Sequence, residues 1–319
     1  MQKKPALTIG LSIYNPGAFL EPALKSIFAQ TFQDWELILV DDSSDDGSTK
    51  LLSFMDDPRV RFLKAGPKRG LAARLNQIVQ AARAPYVARL DADDMLDDTR
   101  LERQINYLRA HPEVDVVGCG LAILDNRGEP TGLRLFGTDH ASICADPLQG
   151  IHLAHATVMG KTEWFLKHPY NEENRSCEDW ELWFDSYKTS TFANLGDPLY
   201  YYREFASFSI GKYIDAKCRM ARLQWRQRAD FGVLRTACVC LSQYIRILLN
   251  LLAYVNGQQH HMIRRRSKSI GDETRAHVVA TEEKIFATAL PLKRTAASAF
   301  EQSFVQQPTI KRSHVAELG

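Results

Sequence analysis

Three acidic clusters carry the chemistry legible in this sequence. Asp91-Ala92-Asp93-Asp94 gathers carboxylates at the end of an apolar run, Tyr86–Leu90. Closely spaced carboxylates are hard oxygen ligands, suited to an Mg²⁺ or Mn²⁺ that keeps waters and shares its shell with substrate phosphates. The same letters also serve as a solvated turn capping a helix near Thr99. Asp41-Asp42-Ser43-Ser44-Asp45-Asp46-Gly47 closes a second apolar run, Glu36–Val40. A carboxylate there can accept hydrogen bonds from a nucleotide base or ribose, while others in the run must cap the following helix. Cys177-Glu178-Asp179-Trp180 opens an amphipathic segment, where acidic side chains also offset the helix dipole.

The elements that must position these groups alternate. Short buried-type runs at Leu7–Ile13, Glu36–Val40, Val60–Leu63, Tyr86–Leu90 and Val114–Leu124 read as strands. Helical spacing falls between them at Phe19–Phe28, Ser48–Met55, Gly70–Ala82 and Thr99–Ala110. Repeated strand–helix units predict an α/β fold: a doubly wound, mainly parallel sheet with helices on both faces. Ligands of such sheets bind beyond the carboxyl ends of the strands, where two of the acidic clusters lie. From about Asp125 the pattern loosens, with a hairpin turn at Asn126–Glu129 and a tyrosine-rich strand at Leu199–Arg203. After Gly211 it turns helical as far as about Asn256.

Composition narrows the classes. The chain has 319 residues, 45% hydrophobic and 24% charged, which excludes a mainly disordered chain. Its 40 basic and 38 acidic residues nearly cancel, which argues against nucleic acid as a partner. The six cysteines form no CxxC pair, so neither a zinc site nor a disulfide scaffold is expected, and a reducing cytoplasm fits. The opening apolar run is too short for a signal peptide.

Together the motifs resemble the family 2 inverting glycosyltransferases of GT-A fold. The resemblance rests on Ile9–Asn15, Leu24–Gln30, Trp35–Ser48, Gly70–Asn76, Leu90–Asp94, Cys177–Leu182 and Leu199–Arg203, in the family's order, and covers roughly residues 5–210. It implies a nucleotide-sugar donor, UDP-linked, with Tyr14 beside the uracil and Asp41 on uracil or ribose. Asp91 and Asp93 match the DxD that holds donor and metal, Mg²⁺ or Mn²⁺, with Asp93 the direct ligand. Asp179 matches the catalytic base and Glu178 is the alternative. Arg74 lies in the nucleotide-side helix. His155, in His-Ala-Thr-Val-Met, resembles an acceptor-side segment, though imidazole also suits a packed, hydrogen-bonded position. Trp180 and Trp183 can stack on a sugar or pack in a core. The resemblance divides the chain into a catalytic domain over 1–210, a helical extension over 211–257 and a polar, weakly patterned tail over 258–319.

Two departures stand out. No His stands in Glu204-Phe205-Ala206-Ser207 just after Tyr202-Arg203, which leaves the metal shell to carboxylates, diphosphate and water, and no Gln-x-x-Arg-Trp is present, which favours transfer of a single sugar over polymerisation. The implied acceptor is a glycan or lipid-linked hydroxyl in cell-envelope or extracellular polysaccharide synthesis. A sugar nucleotidyltransferase is the alternative, but it should open with a Gly-rich loop where Tyr14-Asn15-Pro16-Gly17 stands. Finally, Leu234, Cys238, Leu241, Ile245, Leu248, Leu252 and Val255 form one helical stripe, followed by Arg264–Arg266 and Lys268. That stripe predicts packing on the catalytic domain, a homodimer seam, or peripheral contact with the inner membrane face.

Overall fold

The computed structural model describes residues 4–64, 66–125, 127–204, 209–256 and 267–293. In chain order its first half contains β1 (Leu7–Ile13), α1 (Leu20–Phe28), β2 (Trp35–Asp41), β3 (Val60–Leu63), α2 (Leu71–Ala81), β4 (Tyr86–Asp91), β5 (Met95–Leu96) and α3 (Arg100–Ala110). There follow β6 (Val116–Leu124), β7 (Pro130–Arg134), α4 (His140–Ile143), β8 (Met159–Lys161), α5 (Thr162–Lys167), α6 (Glu178–Ser186) and β9 (Phe192–Arg203). The chain closes with α7 (Ile210–Arg226), α8 (Arg228–Phe231), α9 (Val233–Val255) and α10 (Asp272–Ala287). The segment Ser48–Phe54, expected to be helical, forms a 3-10 helix.

Strands β3, β2, β1 and β4 lie side by side and parallel. Their near-continuous apolar sequences follow from burial on both faces. Leu37 and Leu39 point into the core shared with α1 and α3, whereas Ile38 and Val40 point into the core shared with α2 and α5. Beyond β4 the sheet is mixed: β8 runs antiparallel to β4 and β6, β9 is parallel to β6, and β5 and β7 are antiparallel additions. This is where the helical periodicity between strands fades in the sequence. The doubly wound sheet with helices on both faces is present, with parallel pairing concentrated in its first half.

Arg100 ties the two halves together. Its fully buried guanidinium donates to the Arg89 carbonyl at 3.0 Å and the Thr157 carbonyl at 2.8 Å. Gln104, one turn on, donates to the Val117 and Thr157 carbonyls. Buried backbone acceptors at the β4–β8–β6 junction are thereby satisfied by side chains of α3.

The region read as a weakly patterned tail contains an ordered helix. Val278 and Ile285 of α10 are fully buried against Met95, Leu124 and Tyr201. Only these widely spaced positions need be apolar, because α10 otherwise docks through polar contacts. His277 Nε2 lies 2.7 Å from Asp97, Arg275 donates to the Pro130 carbonyl, and Lys284 pairs with Asp98. Arg264–Arg266 lie outside the described residues.

Gly10, mid-β1, sits under α2. A Cβ there would come 2.6 Å from Ile78 Cγ2, closer than packed carbons allow. Ile78 is buried and β-branched, so it cannot swing away freely. Gly10→Ala is expected to lower unfolding stability by ~1–3 kcal/mol through overpacking. Urea denaturation of both proteins measures this; an unchanged midpoint would show that the β1–α2 contact yields.

Candidate active site

The carboxyl ends of β1, β2 and β4 bring Tyr14, Asp41 and Asp91 to one edge of the sheet. Beside them a cleft of ≈ 300 Å³ is lined by Lys68, Arg69, Gly70, Glu172, Asn174, Arg175 and Glu178. Tyr14 is about half exposed, with Lys68 Nζ 3.4 Å from its ring centroid. Asp41 accepts from the Ser44 backbone N–H at 3.0 Å and from its hydroxyl at 2.7 Å. Asn15 and Asp45 bond reciprocally, and the Gly17 N–H donates to Asp46, so these later acidic residues fasten two loops together.

Asp42 turns inward. It is 3% exposed and accepts from Arg74 Nε at 2.7 Å and from the Arg69 and Gly70 backbone N–H groups at 2.9 Å each. Arg74 is itself 1% exposed and also donates to the Pro67 carbonyl at 2.6 Å. This corrects the expectation for Arg74: its guanidinium lies beneath the 66–70 loop and positions it, instead of meeting the nucleotide. Asn76, on the same helix, binds the Tyr170 backbone at both N–H and C=O, each at 2.9 Å, and so holds the opposite wall.

The 91–94 turn divides in the same way. Asp94 is buried and accepts from the Tyr200 hydroxyl at 2.9 Å and the Arg203 N–H at 2.8 Å. Arg203 also donates to the Asp93 carbonyl at 2.7 Å, and the Asp91 N–H donates to the Tyr200 hydroxyl at 3.1 Å. The turn is clamped by β9, while Asp91 and Asp93 remain partly exposed and Asp91 pairs with Arg89. Burial, with the Asp91 charge added, pushes Asp93 up to about 6. A divalent cation between two such carboxylates would relieve that repulsion, and their hard oxygens suit Mg²⁺ or Mn²⁺. Among the described residues no group of three or more His, Cys, Asp or Glu side chains gathers as a complete cage. Diphosphate and water oxygens would complete the shell.

Glu178 and Asp179 open α6. Burial, followed by the adjacent Asp179, pushes Glu178 up to about 7. Asp179 is also raised, chiefly by burial, against the Trp180 N–H and Arg89, which favour its charged form. Arg89 is the residue that motif reading missed. It is buried, ion-paired to Asp91, and electrostatically coupled to Tyr170, Tyr200 and Glu178 as well. Its signal was present: residues two apart on a strand share a face, so the lone Arg of an apolar strand must lie with Asp91.

His155 Nε2 lies 2.9 Å from the Tyr170 hydroxyl, and the ring packs edge-on to Trp183. Burial, then Arg89, holds its pKa well below the usual value, so this imidazole is neutral. Trp180 is buried and stacks on Phe184 at 4.9 Å between centroids, so its ring serves the core and is not open to a sugar. Trp183 is likewise buried.

If Asp42–Arg74 holds the donor-side loop, Arg74→Met should cost ~3–5 kcal/mol, the usual loss when one partner of a buried pair is removed. It should also weaken UDP binding measured calorimetrically. Weakened UDP binding with unchanged stability would instead mark Arg74 as a direct contact.

The sequence pattern of glycosyl transferase family 2 matches residues 8–189. EpsE of Bacillus subtilis, named as a glycosyltransferase, is 30% identical over 213 residues, 64% of this chain and 75% of EpsE. S. aureus TarS 1-349, solved with UDP-GlcNAc, superimposes with a TM-score of 0.57 at 15% identity, covering 93% of this chain and 92% of that one. Mannosyltransferase PcManGT from Pyrobaculum calidifontis, solved with GDP-Man and Mn²⁺, gives a TM-score of 0.55 at 14% identity, covering 90% and 88%. At these identities the two structures establish likeness of fold alone. The chain spans 53% of a longer TarS structure. Matched over more than half its length, and with the acidic clusters of that pattern gathered at one sheet edge, the chain belongs to glycosyl transferase family 2.

Proposed function

We propose that this glycosyltransferase moves one sugar from a UDP-linked donor to a hydroxyl of a glycan or lipid-linked acceptor, with inversion at the anomeric carbon. The observation that carries this is the gathering of carboxylates within the electrostatic reach of buried Arg89: Asp91 at the end of β4, Asp93 in the turn after it, and Glu178 and Asp179 at the start of α6. Tyr14 and Asp41 would receive the nucleoside, and Lys68 and Arg175, beside an Arg69 paired with Glu172, give the cleft basic groups for a diphosphate. A divalent cation held by Asp93 and Asp91 would neutralise charge building on the departing diphosphate.

The chain's own residues supply the rest. Asp179, its pKa raised by burial, accepts the acceptor hydroxyl proton as that hydroxyl's oxygen forms the new bond to the anomeric carbon. The bond from that carbon to the donor phosphate oxygen breaks, and its electron pair leaves with the diphosphate. Arg89 holds Asp91 in place and keeps charge balance among these carboxylates. Six free thiols fit a cytoplasmic enzyme. Cell-envelope or extracellular polysaccharide synthesis is the setting that such an acceptor implies.

Two measurements test the roles. Asp93→Asn, or excess chelator with the native chain, should abolish most donor turnover; full activity in chelator would remove the metal from the reading. Asp179→Asn should cut turnover by at least ~10²-fold with UDP binding retained, while Glu178→Gln should keep most of it. The reverse pattern would exchange their roles. The pH profile follows from the sign of the shift. A base must be unprotonated and Asp179 is raised, so turnover should fall on acidification at a pH above the ordinary carboxylate range. An acid limb near pH 4 would exclude Asp179 as the base.

A further inference from the structure

Helix α9 is built inside out. Its buried positions are Thr236, Gln243, Asn250 and Ala253, and three of these four are polar. Gln243 meets Gln224 of α7 at 3.3 Å, and Asn250 donates to the Tyr213 hydroxyl at 2.9 Å. The apolar side points away: Leu234 is 80% exposed, Leu241 59%, Leu248 58% and Leu252 52%, with Ile245 and Leu249 close behind. This overturns one sequence expectation, since among the described residues the stripe does not pack on the catalytic domain. A soluble helix buries its apolar arc and wets its polar one; the reverse arrangement implies apolar surroundings.

We propose that this face lies on an anionic lipid surface. Three observations choose that occupant over a second copy of the chain. At 100° per residue the exposed apolar arc, from Tyr244 round to Leu249, spans roughly 140°, wider than the two-position seam of a paired coiled coil. From Ser209 to Asn256 there are eight basic residues against two acidic ones, a surplus of six in a chain whose total is +2. Two such surfaces repel one another and attract anionic headgroups. Tyr244, half exposed, borders the arc, a residue type that settles at the boundary of lipid and water.

The helix is long and apolar enough to cross a membrane by length and composition. Its partner α7 carries Lys212, Lys217, Arg219, Arg222 and Arg226, which cannot follow it into hydrocarbon. With its polar seam occupied by α7, α9 lies in the interfacial plane. This placement does not depend on the donor or the acceptor assigned above.

The test is co-sedimentation of the full chain with vesicles of phosphatidylglycerol mixed with phosphatidylcholine, without sugar-nucleotide. Affinity should exceed that for pure phosphatidylcholine by at least ~10-fold and fall as salt is raised. Leu241→Gln combined with Leu248→Gln should lose at least ~10-fold in affinity while keeping UDP binding, which reports an intact fold. Lys212→Glu combined with Arg246→Glu should weaken binding to the anionic vesicles only. Absent vesicle binding overturns the proposal. So does a dimer in sedimentation equilibrium that the leucine variant converts to monomer while vesicle binding stays unchanged.

Discussion

A carboxyl group taken out of water must find partners, and the active site depends on how two of them do so. Asp42 and Asp94 each lie just beyond a strand end, each turn inward, and each gather donors from distant segments. Asp42 collects α2 and the loop before it; Asp94 collects β9. An unpartnered buried carboxyl costs several kcal/mol, so these contacts are close to obligatory. Their neighbours Asp41, Asp91 and Asp93, each partly exposed, are then held at strand ends and in a turn whose backbones cannot drift. Residues alike in type are thereby divided between scaffold and reactive surface by the direction each faces.

The second half of the site depends on aromatic packing. Trp180 stacks on Phe184, and Trp183 lies 6.0 Å from Trp164 and 5.7 Å from Phe192 between ring centroids. Such faces fix the rotation of a short helix about its axis better than flexible aliphatic contacts do. Cys177 Sγ reaches the Ala216 carbonyl, and Ser176 donates to Asp215, so the start of α6 is also tied to α7. Asp179 therefore projects from a segment held on two sides, as the base role proposed for it requires.

Strand positions β1 to β4, the helices between them and the placing of acidic clusters at one edge were legible because two-faced burial imposes a continuous apolar run. The inward or outward sense of Asp41 against Asp42, or Asp93 against Asp94, was not. Adjacent carboxylates are identical as letters, and only the donors of β9 and α2, remote in sequence, distinguish them. Arg74 looked like a ligand for the same reason, its partner Asp42 being 32 residues away. The stripe on α9 was visible as periodicity, but periodicity cannot say which side meets the protein. Helix α10 escaped because two buried apolar positions in 16 residues make too faint a pattern.

The return of the chain after α9 has a consequence for how the protein is made. Lys25 donates to the Phe286 carbonyl, Asp56 donates through its N–H to the Pro291 carbonyl, and Lys293 donates back to Phe54. The N-terminal units can collapse on local contacts while the ribosome is still working, yet their outer face stays open until residues beyond 270 emerge. The last docking event joins segments more than 200 residues apart, the slow kind of closure. During that interval the pocket for Val278 and Ile285 is uncovered in the nascent chain. A ribosome stalled before α10 emerges would therefore hold a catalytic domain with the apolar surface of Met95, Leu124 and Tyr201 still open.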